Sequence, residues 1–372
     1  MPVKYALYLL VLFTACQPKS KKVMTTDKTN PFYLGTYTEG ESEGIYKYEL
    51  SADGTIRQVA LVAKSENPSF LAKSKDGEYL VAVNEIQNDE NVGSVESWKI
   101  GADSLTLISR CSSGGAHPCH VAINAAGYVL TSNYTGGNVG LLKLSQSDGQ
   151  LQELDVQQHA GQGTSDRQQG PHAHSAWFVP ACNDVIAVDL GTNDLWLSIL
   201  DPIKNQLMPA DPLQLSMAEG AGPRHLTFHP TQKWLYVVNE LDCTVTLIQK
   251  DAAGHYQMGN SITTLPQGYD QPNSCADIHI SADGRFLYAS NRGHNSIAIF
   301  AVNPEDGALT AVGHTSTHGD GPRNFALSPD GKYLLVANQH TQNIVSFKRD
   351  ETTGLLTFVN EAKAPTPVCI LF

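Results

Sequence analysis

The chain has 372 residues, 41% of them hydrophobic and 17% charged, a composition that supplies a large core and excludes a predominantly disordered protein. Its 25 Lys and Arg stand against 37 Asp and Glu, for a formal net charge of −12. That balance argues against nucleic acid or an anionic membrane surface as a partner, so any anionic ligand requires a local basic pocket.

At the N-terminus, Lys4 precedes an apolar stretch from Tyr5 to Phe13, followed by Thr14, Ala15 and Cys16. The stretch is too short to span a bilayer and reads as a secretory signal. Small residues before Cys16 resemble a bacterial lipobox, with Phe13 where an aliphatic residue is usual, so Cys16 is expected to carry the lipid. Residues 1–16 are thus assigned to a lipoprotein-type signal peptide and 17–30, polar and lysine-rich, to a flexible tether. The expected location is outside the cytoplasm, periplasmic or on the outer membrane, with the lipid anchor as the sole membrane contact. Six further cysteines, at 111, 119, 182, 243, 275 and 369, fall in no metal-ligand spacing. Their context fits small buried hydrophobes, while an oxidising compartment would permit disulfides.

From residue 31 onward a repeat dominates. Six segments run from a strand start through a turn of the Ser-x-Asp-Gly type into an apolar strand that closes on Asn or Asp: 68–84, 118–133, 171–189, 223–239, 276–291 and 322–338. The closing residues lie 47 to 56 positions apart. Periods near ~40–50 residues indicate four-stranded propeller blades. The end segments 367–372 and 31–37 each read as one strand of a pair, so joining them closes a seventh blade. The expected fold is therefore all-β, a seven-bladed β-propeller over 31–372 closed by the N- and C-terminal strands.

Aligning the copies on the turn gives a column of Phe70, His120, His174, His225, Asp277 and Asn324, continued by Cys369. Polar side chains that open otherwise apolar strands are costly unless they meet a partner, solvent or ligand, so this column is expected to face the central channel. One position earlier stand Ser69, Cys119, Ala173, Arg224, Ala276 and Arg323, and just after the closing residues stand Glu85, Tyr134, Leu190, Glu240, Arg292 and Gln339. Three arginines in these two columns suggest an anion-binding patch.

At these residues the sequence resembles the propeller family of 6-phosphogluconolactonases and carboxymuconate cyclases. The resemblance rests on Gly222 to Pro230, Tyr236 to Leu241 and Ala276 to Gly284, and extends from about Phe32 to the C-terminus. It implies a site on one face built from Arg224, Glu240, Arg292 and a histidine, either His174 or His172. The segment from Gln157 to Gln169 departs from the family and is expected to form a loop over that mouth.

The working expectation is hydrolysis of a sugar lactone without metal or cofactor. Glu240 or His174 would be the base, Arg224 and Arg292 the oxyanion and carboxylate donors, and His225, Asp277, Arg323, His279, His120 and His172 the substrate contacts. Two other readings remain at this stage: a cycloisomerase that forms a lactone from a muconate-like acid, and a non-catalytic propeller that binds a glycan or a protein.

Overall fold

The computed structural model describes residues 1–5 and 29–372, so the expected signal peptide, Cys16 and most of the tether lie outside the described residues. No helix among the described residues is long and apolar enough to cross a membrane. The elements among the described residues are twenty-eight β-strands in seven four-stranded antiparallel sheets. Blades one to six begin with inner strands Phe70–Lys73, Pro118–Ile123, Ala173–Phe178, Pro223–Phe228, Ser274–Ile280 and Pro322–Leu327. Blade seven takes its inner strand, Pro367–Leu371, from the C-terminus and its next three, starting with Asn30–Thr36, from the N-terminal end. Leu34 pairs with Ile370 and Gly35 with Cys369, so the ring closes by backbone hydrogen bonds.

Local chemistry explains the blades. In the turn after the first strand of blade one, the Ser74 hydroxyl donates to Asp76 Oδ1 at 2.6 Å and accepts from the Tyr79 amide at 2.9 Å. Gly77 completes the turn at φ +73°, in the left-handed region where a glycine carries no steric cost. The second strands that follow, such as Tyr79–Asn84 and Trp234–Asn239, are buried at every residue because each lies between two neighbouring blades. The outermost strands are less buried: in Leu105–Ser112 only Leu105 is buried, and Thr106, Leu107 and Arg110 are exposed.

The closing asparagines tie loops to the ring. Asn133, Asn291 and Asn338 donate from Nδ2 to the carbonyls of Ser113, Thr264 and Thr317 at 2.9 to 3.0 Å, which accounts for their recurrence without a catalytic role. The six described cysteines are free thiols.

One irregularity repeats and positions everything that follows. Near the start of the inner strand, register shifts between Pro118 and His120, Ala173 and Ser175, Pro223 and His225, and Pro322 and Asn324. The skipped residues are Cys119, His174, Arg224 and Arg323. A β-bulge re-aims the side chain of its extra residue, here toward one mouth of the channel. The pairing also corrects the column deduced from sequence. Ala173 pairs with Asp189 as Pro223 pairs with Asn239, so Ala173 holds the strand-start position and Pro171 lies two residues ahead of it. His174 is therefore the counterpart of Arg224, and Ser175 that of His225.

Candidate functional site

The bulged residues and the residues that follow the second strands meet at one mouth of the propeller. They line a cavity of about 390 Å³, whose wall includes Glu85, Cys119, Tyr134, Arg167, His174, Arg224, Glu240, Ser274, Arg292, Arg323 and His340. The volume lies within the ~300–1,000 Å³ typical of small-molecule sites. Four guanidiniums face two carboxylates there, in a protein whose net charge is strongly negative.

Glu240 is the centre of this wall. Its backbone amide donates to the Gly222 carbonyl at 2.7 Å, and Gly222 sits at φ +62° against the Leu241 side chain, where a Cβ would collide. The turn thereby sets the carboxylate over the channel. Oε2 accepts from Arg224 Nη1 at 2.5 Å and lies 3.0 Å from Arg292 Nη2, while Oε1 accepts from Arg167 Nη2 at 3.0 Å. Burial alone would raise the carboxyl pKa, but the charges of Arg224, Arg292 and Arg167 outweigh it and hold the group well below the usual carboxylate range.

The arginines are fixed by further contacts. Arg224 Nε donates to the Ala276 carbonyl at 2.9 Å, and Arg292 Nη2 to that of Cys275 at 3.0 Å. Arg323 Nη2 donates to the Tyr37 hydroxyl at 2.8 Å, which donates in turn to Glu85 Oε2 at 2.8 Å. His174 is buried, with Nε2 2.5 Å from Arg224 Nη1 and Nδ1 3.7 Å from Cys119 Sγ. Its pKa is pushed well below the ordinary value, first by burial and then by the Arg224 charge, so the ring is neutral and Nε2 accepts from the guanidinium.

Beneath this wall lies a second layer made by the residues after each bulge. Asp277 accepts from His225 Nδ1 at 3.0 Å, His279 Nε2 at 3.0 Å, Asn324 Nδ2 at 2.6 Å and the amides of Ile278 and Phe325 at 3.0 and 3.2 Å. Burial opposes its charge, yet His279 and His225 more than compensate and keep the carboxyl far below its ordinary range. His120 packs against Trp177 and His225, with ring centroids 4.7 and 5.5 Å away.

The structure thus brings Arg224, Glu240, Arg292, His174 and Arg323 into one wall and leaves the other expected contacts out of it. His120, His225 and Asp277 are stacked below, and His279 extends farther along the same strand. His172 stacks on Tyr134 at 4.5 Å and lies behind the wall rather than in it. The physical reason is the bulge, which turns one residue per inner strand to the mouth and leaves its successor in the ring below. Arg167, Tyr134, Glu85, Tyr37 and His340 were not singled out as site residues from sequence. Glu85 and Tyr134 had a signal, since they share the column of Glu240, whereas Arg167 sits in a polar loop with no repeat to mark it. Among the described residues no group of three His, Cys, Asp or Glu side chains is arranged to hold a metal ion.

Comparison with known proteins agrees with the fold. Residues 31–372 match the family described as lactonase, 7-bladed beta-propeller. The chain is 38% identical to a 6-phosphogluconolactonase of Bacillus subtilis, with 91% of this chain and 97% of the relative covered. It is 35% identical to a 6-phosphogluconolactonase of Formosa agariphila, with 87% and 94% covered. The structure of a periplasmic gluconolactonase from Pseudomonas aeruginosa superposes with a TM-score of 0.88 at 31% identity, covering 92% of this chain and 98% of that one. The chain therefore belongs to the lactonase family of seven-bladed β-propellers, enzymes that hydrolyse cyclic esters.

Proposed function

We propose that this protein hydrolyses a sugar lactone in the cavity at the channel mouth, with Glu240 as the base that activates water. The observation that carries this reading is a buried carboxylate facing an open cavity under three guanidiniums, in a lactonase fold. Ester hydrolysis requires water to lose a proton as it attacks the carbonyl carbon, a donor for the oxyanion that forms, and a proton for the ring oxygen as its bond to that carbon breaks. Glu240 is ionised, and its Oε1 takes a single donor, so a lone pair is available to a water. His174 has already committed Nε2 to Arg224, which makes it the weaker candidate for the base and a positioning group for that arginine. Arg224 Nη2 and Nη1 of Arg292 and Arg323 have no hydrogen-bond partner among the described residues and border the cavity. They are the natural donors to an oxyanion and to an acidic group of substrate or product.

Replacing Glu240 with Gln keeps the shape and removes the base. Hydrolysis of gluconolactone or its 6-phosphate should fall by about 10²–10⁴-fold. A Glu240→Gln variant that hydrolyses both esters at the parent rate refutes the assignment.

Export and anchoring through Cys16 belong to the same proposal, supported by the apolar segment and the small residues before that cysteine. In cell fractionation the parent is expected with membranes and Cys16→Ser protein in the soluble fraction or unprocessed. Membrane association that survives Cys16→Ser argues against the anchor.

A further inference from the structure

The loop 159–172, between the last strand of blade two and the first of blade three, is held down at both ends. His159 Nδ1 lies 2.7 Å from Asp189 Oδ2, and its ring stacks on Trp196 at 4.3 Å and 4°. Gln168 is fully buried and donates from Nε2 to the Leu190 carbonyl at 2.8 Å and to Asn193 Oδ1 at 3.1 Å. Asp189 Oδ1 also accepts the His172 amide at 2.8 Å. Between these anchors the loop extends one long side chain across the mouth. Arg167 Nη2 donates to Glu240 Oε1 at 3.0 Å and to the Tyr134 hydroxyl at 3.1 Å, bridging blades two and four.

The three guanidiniums on Glu240 are not equivalent. Arg224 and Arg292 have side-chain exposures of 4% and 18%, and each is also fixed to a backbone carbonyl of blade five. Arg167 is 51% exposed and grips only a neutral hydroxyl and the carboxylate oxygen itself. The half-exposed Arg167 can leave for solvent or a ligand while the buried carboxylate keeps its two other cations, whereas either of those is costly to remove. An anionic ligand entering from solvent therefore meets one displaceable cation, and moving that cation uncovers the single Glu240 oxygen that no other residue engages.

We propose that Arg167 is a specificity-determining residue, a removable cap on Glu240 that an anionic group of the substrate draws away, so that anionic lactones free Oε1 entirely and neutral lactones react with one of its lone pairs still held by Arg167. The inference rests on the proposed lactonase site and concerns which esters it favours. The gain is twofold: the guanidinium binds the substrate anion, and Glu240, with one fewer cation, becomes a stronger base. Neutral lactones obtain neither and react at a site that remains capped.

Kinetics of the full chain with gluconolactone and its 6-phosphate test this, comparing the parent with Arg167→Ala and Arg167→Lys. The parent should favour the phosphorylated ester. Arg167→Ala should raise KM for that ester by about tenfold or more, while raising kcat for the neutral one and moving the acid limb of its pH profile upward. Arg167→Lys should restore much of the preference. A loss of equal size on both esters, an unchanged ratio, or a parent that favours the neutral ester overturns the cap. If the parent hydrolyses lactones but the ratio ignores Arg167, the cap alone fails, whereas a parent inactive on both esters removes the lactonase reading beneath it. Thermal melting of both variants separates these outcomes from misfolding, and the Lys variant provides the readout if the Ala variant does not fold.

Discussion

Glu240 and Asp277 make an instructive pair. Both are 3% exposed carboxylates near the propeller axis, and both are held ionised against burial. Asp277 accepts five hydrogen bonds, two of them from backbone amides and two from blade six. Glu240 receives side-chain donors only, all from arginines, and its second oxygen faces the cavity with one of them. A saturated carboxylate of the first kind joins structural elements, while one with spare acceptor capacity toward open space is equipped to exchange a proton with a ligand. Position in the ring thus distinguishes the two carboxylates more sharply than residue type does.

The comparison breaks most completely if the lower layer is disconnected. Asn324, which donates to Asp277, accepts from the Ile370 amide at 2.7 Å, so the network reaches the strand that closes the ring. Deleting residues 367–372 removes that strand together with the buried Val368, Cys369 and Ile370. Each buried aliphatic side chain contributes roughly 1.5–3 kcal/mol and the open edge adds unpaired backbone groups. Calorimetry should show no cooperative transition near that of the parent, and an unchanged transition would contradict closure by this strand.

Asp277→Asn is the next largest perturbation, because it leaves His225, His279 and two amides facing a neutral amide group. Loss of one partner in a buried charged network typically costs about 3–5 kcal/mol. Denaturant unfolding should show a decrease of that order, and a change below about 0.5 kcal/mol would mean that Asp277 is not the staple described.

A smaller effect is expected from pH. Burial lowers the His279 pKa, but Asp277 more than offsets this and raises it above the ordinary value near 6.5. A raised folded-state value stabilises the protein fully below the unfolded value and ceases to do so as pH rises through the folded one. Asp277 has the opposite sign, stabilising above its ordinary unfolded value near 3.8 and losing that contribution on acidification. The buried His120, His174 and His225, whose pKa values are lowered first by burial, share the sign of Asp277, so it is the His279 contribution that declines as pH rises above 6.5. His279→Gln should flatten that alkaline decline, and an identical pH profile for the two proteins would remove His279 from the account.

The sequence disclosed the blade count, the shared seventh blade and most of the mouth, because turn chemistry and strand burial repeat at each copy. It did not disclose the bulge. Whether Arg224 or His225 turns to the cavity depends on which residue is skipped in the pairing, and both are plausible polar residues in the same strand. For that reason His120, His225, Asp277 and His279 were grouped with the ligand contacts although they form the layer beneath it. Alignment on the turn is off by one position in blade three because its turn has no Ser-x-Asp-Gly: Val179, whose amide donates to the Asp184 carbonyl, holds the place of His229. The loop was anticipated over the mouth, but Arg167 was not, since its contacts depend on anchors at His159 and Gln168 that no periodicity reveals.

The central claim is that the upper carboxylate performs chemistry and the lower one supports the fold. Lactone hydrolysis and thermal melting, measured on the same preparations of Glu240→Gln and Asp277→Asn at a temperature where both are folded, test it directly. The account predicts a crossed result: Glu240→Gln loses about 10²–10⁴-fold in rate with little change in melting, and Asp277→Asn melts several degrees lower while retaining most of its rate. Equal losses of rate in the two variants, or a Glu240→Gln enzyme as active as the parent, would contradict it.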